Sequence, residues 1–360
     1  MLQLKKSLVT KVTSPEKILI IKPSSLGDII HSLPVLNSLR RCFPHASIHW
    51  LVAKNFADLL EGHPMIDKLW VIDKDRWKKL LSFFSNLRDI LILSRKLKNE
   101  QYDIVIDLQG LLRSGLITAL TGAPVKIGFR EAREGSTIFY THKVEGGKNI
   151  HAVERYLKVL PLITGGEDNS IGGVSNSCCD FKEIVFPLPE RKIELPVIGG
   201  ETVQGQYAVL VPGARWQTKR WPPERFGEIA KRLPMRSLVI GGKEDIDLAE
   251  RVVYSSDGKA ISLAGKTSLK ELVEIIRRAK LVVSNDSGPV HISAALGIPT
   301  FALYGPTSPL RTGPYGRNTF VINAEIDCAP CFKRRCKKNL CMESITVENV
   351  WKVISDYLNL

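Results

Sequence analysis

The feature that most limits what this chain can fold into is a repeated grammar. A short apolar, β-branched run ends in a polar or glycine-bearing turn, and an apolar stripe at helical spacing follows. It is met first at Ile18-Leu19-Ile20-Ile21, broken by Pro23-Ser24-Ser25-Leu26-Gly27-Asp28 and continued by Leu33, Leu36 and Leu39. Ser47 to Val52 and Tyr102 to Asp107 read as further strands, with a helix over Leu87 to Leu97 between them. Strands this apolar alternate with helices when a parallel sheet is covered on both faces, so the spacing predicts an α/β protein built of βαβ units. Pro34 predicts either a kink in the first helix or a second helix capped by Ser32.

Around Ile163 to Cys179 the pattern lapses into Gly, Ser, Asn and Asp, and Phe186-Pro187-Leu188-Pro189 with Leu195-Pro196 follows, which reads as a linker. A second series then begins. Tyr207 to Val211 is a strand ending at Pro212-Gly213, and Ser237 to Ile240 ends at Gly241-Gly242. Leu281 to Ser284 ends at Asn285-Asp286-Ser287-Gly288, and Thr300 to Tyr304 ends at Gly305-Pro306. Two βα series in 360 residues predict two doubly wound, Rossmann-like domains facing a cleft, with ligands at the carboxyl ends of the strands. The expected boundaries are a first domain over 1–180, a linker over 181–200, a second domain over 201–345 and a closing helix over 346–360.

Lys and Arg number 51 against 37 Asp and Glu, a formal charge of +14. That surplus suits nucleic acid, an anionic membrane surface or phosphorylated substrates, and charge alone does not choose among them. With 44% hydrophobic and 24% charged residues, the composition excludes disordered, collagen-like and disulfide-miniprotein classes. No run reaches the roughly 18 apolar residues of a membrane span, and Met1 to Glu16, carrying Lys5, Lys6 and Lys11, lacks a signal-peptide core. Seven cysteines are an odd number, with Cys42 apart from the rest, which argues against a full disulfide framework and for a reducing, cytoplasmic setting. The four at Cys328, Cys331, Cys336 and Cys341, interleaved with Lys333, Arg334, Arg335, Lys337 and Lys338, have a spacing compatible with a zinc site or a cluster but match no zinc pattern cleanly, and free thiols or local disulfides are the alternatives; no metal site is assigned.

The chemistry-bearing residues gather at strand ends. Asp28 follows the first strand, where it is either a general base or the cap of a helix. A single glycine in that turn, Gly27, leaves the dinucleotide fingerprint incomplete and disfavours a nicotinamide cofactor. In the second series, a cap at Asp286 or Ser287, then Gly288 and Pro289, opens a helix over Val290 to Leu296 whose N-terminus could hold a phosphate, with His291 one turn in. Arg215, Lys219 and Arg220 lie beside Trp216 and Trp221 after another strand and could neutralise a pyrophosphate, or simply form a solvated basic loop. Glu244 and Asp245 could accept from ribose hydroxyls. Asp73-Lys74-Asp75 reads as a solvated turn.

Four segments together resemble glycosyltransferase family 9, the bacterial lipopolysaccharide heptosyltransferases: Ile18 to Pro34, Tyr102 to Gly110, Lys219 to Pro222 and Val283 to Gly305. The resemblance implies a GT-B architecture, with an N-terminal acceptor domain, a C-terminal nucleotide-sugar domain and a final helix from Thr346 packing back toward the first domain. It implies inverting transfer from ADP-L-glycero-D-manno-heptose to the Kdo/heptose inner core, with no cofactor and no obligate metal. On the family's pattern Asp28 matches the base and Lys219 the donor-phosphate lysine. Arg215, Asp286, Ser287, Gly288 and His291 fall on the donor side, with Glu244 or Asp245 as the ribose-binding acid. Gln109, Arg113, Arg133 and His151 fall on the acceptor side. Ala132-Arg133-Glu134 and His151 to Arg155 look most similar to the branch that adds the first heptose to Kdo. An inner-leaflet acceptor implies a peripheral membrane enzyme steered by Lys5, Lys6, Arg76, Lys78, Lys79, Arg130 and Arg133. Alternatives on the same fold are transfer from another nucleotide sugar and a UDP-sugar 2-epimerase-like reaction. A basic nucleic-acid-binding protein is disfavoured, because the cations cluster at strand ends and in one tail.

Overall fold

A computed structural model describes residues 14–73, 83–147, 149–164, 184–193, 197–198, 201–202 and 205–360. Lys5, Lys6, Lys11, Lys74, Asp75, Arg76, Lys78 and Lys79 lie outside the described residues, as do 181–183, 194–196 and 199–200 of the expected linker. The chain divides into two units between Pro187 and Leu188.

In the first unit the elements run β1 (Lys17–Ile21), α1 (Leu26–Cys42), β2 (Ser47–Ala53), α2 (Ala57–Leu60), β3 (Lys68–Ile72), α3 (Phe83–Asn99), β4 (Ile104–Asp107), α4 (Leu112–Leu120), β5 (Val125–Phe129), β6 (His142–Val144), α5 (Ala152–Leu157) and α6 (Leu160–Thr164). The strands form one parallel sheet in the order β3-β2-β1-β4-β5-β6. Ile18, Leu19, Ile20 and Ile21 are wholly buried, as a central strand covered on both faces requires. On one face Leu19, Ile21, Leu51 and Val105 pack with Leu97 of α3 and Ile117 of α4.

Of the two Pro34 alternatives, the second helix capped by Ser32 is corrected by the structure. α1 runs unbroken from Leu26 to Cys42 with Pro34 inside it, and Ser32 caps nothing: its hydroxyl donates to the Ile29 carbonyl at 2.8 Å. Burial of Ile29, Ile30, Leu33, Leu36 and Leu39 along the helix outweighs the roughly 3 kcal/mol that an interior proline costs.

After the hairpin β7 (Val197–Ile198) and β8 (Glu201–Thr202), the second unit repeats the plan. Its elements are β9 (Tyr207–Val211), α7 (Pro223–Arg232), β10 (Arg236–Val239), α8 (Ile246–Tyr254), β11 (Ala260–Ser262), α9 (Leu269–Arg277), β12 (Leu281–Asn285), α10 (Gly288–Ala295), β13 (Thr300–Tyr304), α11 (Pro309–Thr312), β14 (Thr319–Asn323), α12 (Leu340–Glu343) and α13 (Val347–Leu358). The parallel order is β11-β10-β9-β12-β13-β14, the same permutation as in the first unit. α13 packs on α7 and β14 and buries Val350 and Ile354 in the second unit's core, beside Phe226 and Met342.

Among the cysteines, Cys42 is disulfide-bonded, a departure from its isolation in the sequence. Cys328, Cys331, Cys336 and Cys341 are free thiols.

Candidate active site

In a sheet of order 3-2-1-4-5-6, chain direction away from the first strand reverses between the first and fourth strands, and the crevice at their carboxyl ends is where ligands bind. Both units place their polar strand ends there. The first has Asp28 after β1 and Gln109 after β4; the second has Lys219 after β9 and Asp286 after β12.

Asp28 sits in the first turn of α1, and its Oδ2 accepts from the Ser25 backbone N–H at 3.1 Å and the Ser25 hydroxyl at 2.7 Å. Ser25, not Asp28, is therefore the N-cap of α1, and Asp28 at the third helical position reaches back to it through Oδ2 as in a capping box. Oδ1 accepts from the Tyr156 hydroxyl at 3.1 Å and lies 3.9 Å from the Lys22 ammonium. Lys22, only 2% exposed, donates to the Leu108 carbonyl at 3.0 Å and to Tyr156 Oη at 2.8 Å. Burial raises the Asp28 pKa, but Lys22 and the Ser25 donors outweigh it and hold the carboxyl far below the usual carboxylate range. Burial pulls Lys22 below the ordinary lysine value. The Asp28 side chain keeps about a third of its surface open, so a ligand can reach it.

The β4 end is fixed from beneath. Asp107 is fully buried and accepts from the backbone N–H groups of Gln109 (2.8 Å) and Gly110 (3.1 Å), the Ser114 hydroxyl (2.7 Å) and the Tyr140 hydroxyl (2.7 Å). Burial raises its pKa against those donors. This holds the loop so that Gln109 Oε1 accepts from the Ser24 N–H at 3.3 Å, tying β4's end to the turn that carries Asp28. His151 is the N-cap of α5, its Nδ1 accepting from the Val153 N–H at 3.2 Å, and its ring meets His31 edge-on at 5.0 Å. Arg133 is exposed; its backbone N–H donates to the Gly110 carbonyl, and its charge acts on both Lys22 and Tyr156. The structure therefore gathers Asp28, Gln109, Arg133 and His151, while Arg113 is exposed at the start of α4.

In the second unit Lys219 Nζ donates to Asp286 Oδ2 at 2.5 Å and lies 4.7 Å from the Trp216 ring centroid. Thr307 donates to the same Asp286 oxygen at 2.6 Å. Asn285, wholly buried, donates through Nδ2 to the Pro212 carbonyl at 2.7 Å and accepts from the Trp221 N–H at 3.1 Å, clamping the two switch-point loops together. Ser287, not Asp286, is the N-cap of α10, with Pro289 at its second position, and His291 is buried in its first turn. Arg215 is exposed.

Glu244 and Asp245 separate by environment. Asp245 is 8% exposed, accepts from the Gly242 N–H at 3.1 Å and lies 3.7 Å from Arg220; burial raises its pKa. Its carboxyl occupies the space of the missing side chain of Gly213, where a Cβ would stand 2.4 Å from it. Glu244 is exposed. Among the described residues no three His, Cys, Asp or Glu side chains are grouped to hold a metal ion, and no helix is long and apolar enough to cross a membrane. Lys22, Tyr156, Asp107, Asn285 and Thr307 carry these two clusters and were not singled out by sequence.

Two Rossmann-like sheets, each with such residues at its switch point, define a glycosyltransferase of the GT-B fold. The family described as glycosyltransferase family 9 (heptosyltransferase) matches residues 90–341, and the chain belongs to it. It is 29% identical over 331 residues to lipopolysaccharide heptosyltransferase 1 of Pseudomonas aeruginosa, covering 89% of this chain and 87% of that one. It is also similar to the solved Escherichia coli heptosyltransferase WaaC with ADP, at 27% identity and a TM-score of 0.75, covering 94% of this chain and 99% of that one. The same enzyme with ADP-2-deoxy-2-fluoro heptose gives 27% identity and a TM-score of 0.72, with 95% and 99% covered.

Proposed function

We propose that the protein is an inverting heptosyltransferase that moves heptose from ADP-heptose to the Kdo/heptose inner core of lipopolysaccharide. The observation that carries the chemistry is Asp28: an ionised, partly open carboxylate at the switch point of the first sheet, with a buried lysine beside it. An acceptor hydroxyl attacks the anomeric carbon, the bond from that carbon to the ADP oxygen breaks, and its electron pair leaves with the phosphate. As the new C–O bond forms, the hydroxyl becomes oxonium-like and strongly acidic, so even a weakly basic carboxylate takes its proton. Lys219 offsets charge growing on the departing phosphate, exchanging part of its bond to Asp286 for the ligand. The N-terminus of α10, with Ser287 and Gly288, adds backbone donors, and Arg215 and His291 flank it.

Glu244, exposed where Asp245 is enclosed, is the better acceptor for ribose hydroxyls. Gln109, Arg133 and His151 around Asp28, with Arg113 further along, supply the acceptor side. The reading needs no metal or organic cofactor. The anionic acceptor supports a peripheral site of action at the inner face of the inner membrane, with Arg130 and Arg133 as the described members of the steering set.

A donor comparison of ADP-heptose, UDP-GlcNAc and GDP-mannose tests the assignment, and the expected preference is ADP-heptose. Asp28→Asn keeps the shape and should lower kcat by roughly 10²–10⁴ with ADP binding intact. Near-normal turnover of that variant at saturating substrates would refute the base.

A further inference from the structure

We infer that Lys22 and Tyr156 are positioning residues for the Asp28 carboxylate, joined to it in a directed chain that fixes which oxygen receives the acceptor's proton. The inference rests on the reading of Asp28 as the base, and it assigns roles to two residues that this reading leaves without one.

The direction follows from donor chemistry. An ammonium only donates, so Lys22 Nζ, at 2.8 Å from Tyr156 Oη, makes that oxygen an acceptor. The phenol's single proton is then left for Asp28 Oδ1 at 3.1 Å. A second anchor, the Leu108 carbonyl at 3.0 Å, holds the ammonium at the end of β4, and its place 4.7 Å from the Tyr156 ring centroid keeps it against the tyrosine. Ser25 occupies Oδ2 with two bonds. Oδ1, with one neutral donor and an ammonium at 3.9 Å, therefore retains the acceptor capacity, and the proton lands there.

The arrangement has a reason beyond packing. A lysine 2% exposed is expensive to bury unless its charge is used, and a methionine would fill the same space at less cost. Lys22 lies in β1's extension and Tyr156 in α5, so two elements separated by 134 residues converge on one carboxylate. The other charged or titratable groups acting here are His31 on Asp28, Arg133 and Arg155 on both Lys22 and Tyr156, and Asp107 on Lys22; His151 lies behind His31.

The test uses the full-length protein carrying ¹³C-carboxyl aspartate, with Asp28→Asn to assign the Asp28 resonance, and needs no substrate. In the parent protein Asp28 should not titrate between about pH 4 and 8. In Lys22→Met its midpoint should rise by about 1–3 pH units, the effect of removing a neighbouring opposite charge from a buried carboxylate. Tyr156→Phe should raise it by less, and Lys22→Arg should restore much of the parent behaviour. The kinetic sign is fixed: Asp28 works as the carboxylate, so activity is lost as pH falls through its pKa, and a raised pKa moves the acid limb of kcat/KM to higher pH. Tyr156→Phe should also lower kcat about tenfold with the donor KM unchanged. Should Lys22→Met fail to fold, Tyr156→Phe still decides. An Asp28 midpoint that stays put in every folded variant overturns the inference. A midpoint that moves while Asp28→Asn still transfers sugar keeps the positioning chain and refutes the base.

Discussion

The ion pair between Lys219 and Asp286 gives the sharpest separation of structural from chemical roles. Asp286 is 8% exposed and receives two short hydrogen bonds, from Lys219 at 2.5 Å and Thr307 at 2.6 Å. Lys219→Met leaves that carboxylate buried with its counter-charge gone. Breaking a buried pair from one side costs about 3–5 kcal/mol, and partial exposure of Lys219, at 17%, places this site near the lower end, about 3 kcal/mol. For a domain of this size each kcal/mol moves Tm by about 2–4 °C, so the variant should melt roughly 6–12 °C lower. Lys219→Met combined with Asp286→Asn removes the charge on both sides, and most of that loss should return. Turnover should behave differently. Without the cation facing the departing phosphate, kcat should fall about 10²–10³ in both the single and the double variant. Scanning calorimetry and initial rates at saturating donor, on the same preparations, read the two effects. A Tm unchanged in Lys219→Met would refute the buried-pair argument, and recovery of kcat in the double variant would refute a role for Lys219 in leaving-group stabilisation.

Gly213→Ala sets a methyl 2.4 Å from the Asp245 carboxyl and should destabilise by about 1–3 kcal/mol, read by chemical denaturation; an unchanged midpoint would show that Asp245 moves aside freely. Transfer in excess EDTA should continue at near its normal rate, whereas complete loss reversed by a divalent ion would require a metal-dependent step. Sedimentation with anionic liposomes should weaken steeply as salt rises, at about 1 kcal/mol per basic residue engaged, while neutral liposomes should bind little; equal binding to both would refute electrostatic steering.

The strand-turn-helix rhythm was legible because each central strand is apolar on both faces and ends at Pro, Gly or Asp. Tyr207 to Val211 and Thr300 to Tyr304 are read from sequence with the observed limits. The edge strands β3, β6, β11 and β14 are not legible in the sequence, and β3 and β14 show why: partly exposed Leu69, Trp70, Phe320 and Val321 lack that two-sided signal; the inner strand β5 is missed for another reason, because Lys126 and Gly128 interrupt its apolar run. The pronounced turns at Asp28, Lys219 and Asp286 were legible for the same reason as the strands. Their partners were not. Tyr156 reaches Asp28 across 128 residues, and Thr307 reaches Asp286 from the following strand end. Sequence order carries no record of such pairings. Lys22 stood in plain view within the first turn, yet a lysine after a strand reads as a solvated end; only its burial reveals a charge kept indoors. The same principle parts Glu244 from Asp245, adjacent and alike in chemistry. Asp245 is enclosed in the space that Gly213, thirty-odd positions upstream, leaves by lacking a side chain, whereas Glu244 stays exposed. Composition at strand ends thus locates a crevice in this fold, while the role of each charge within it is decided by how much water the surrounding loops leave it.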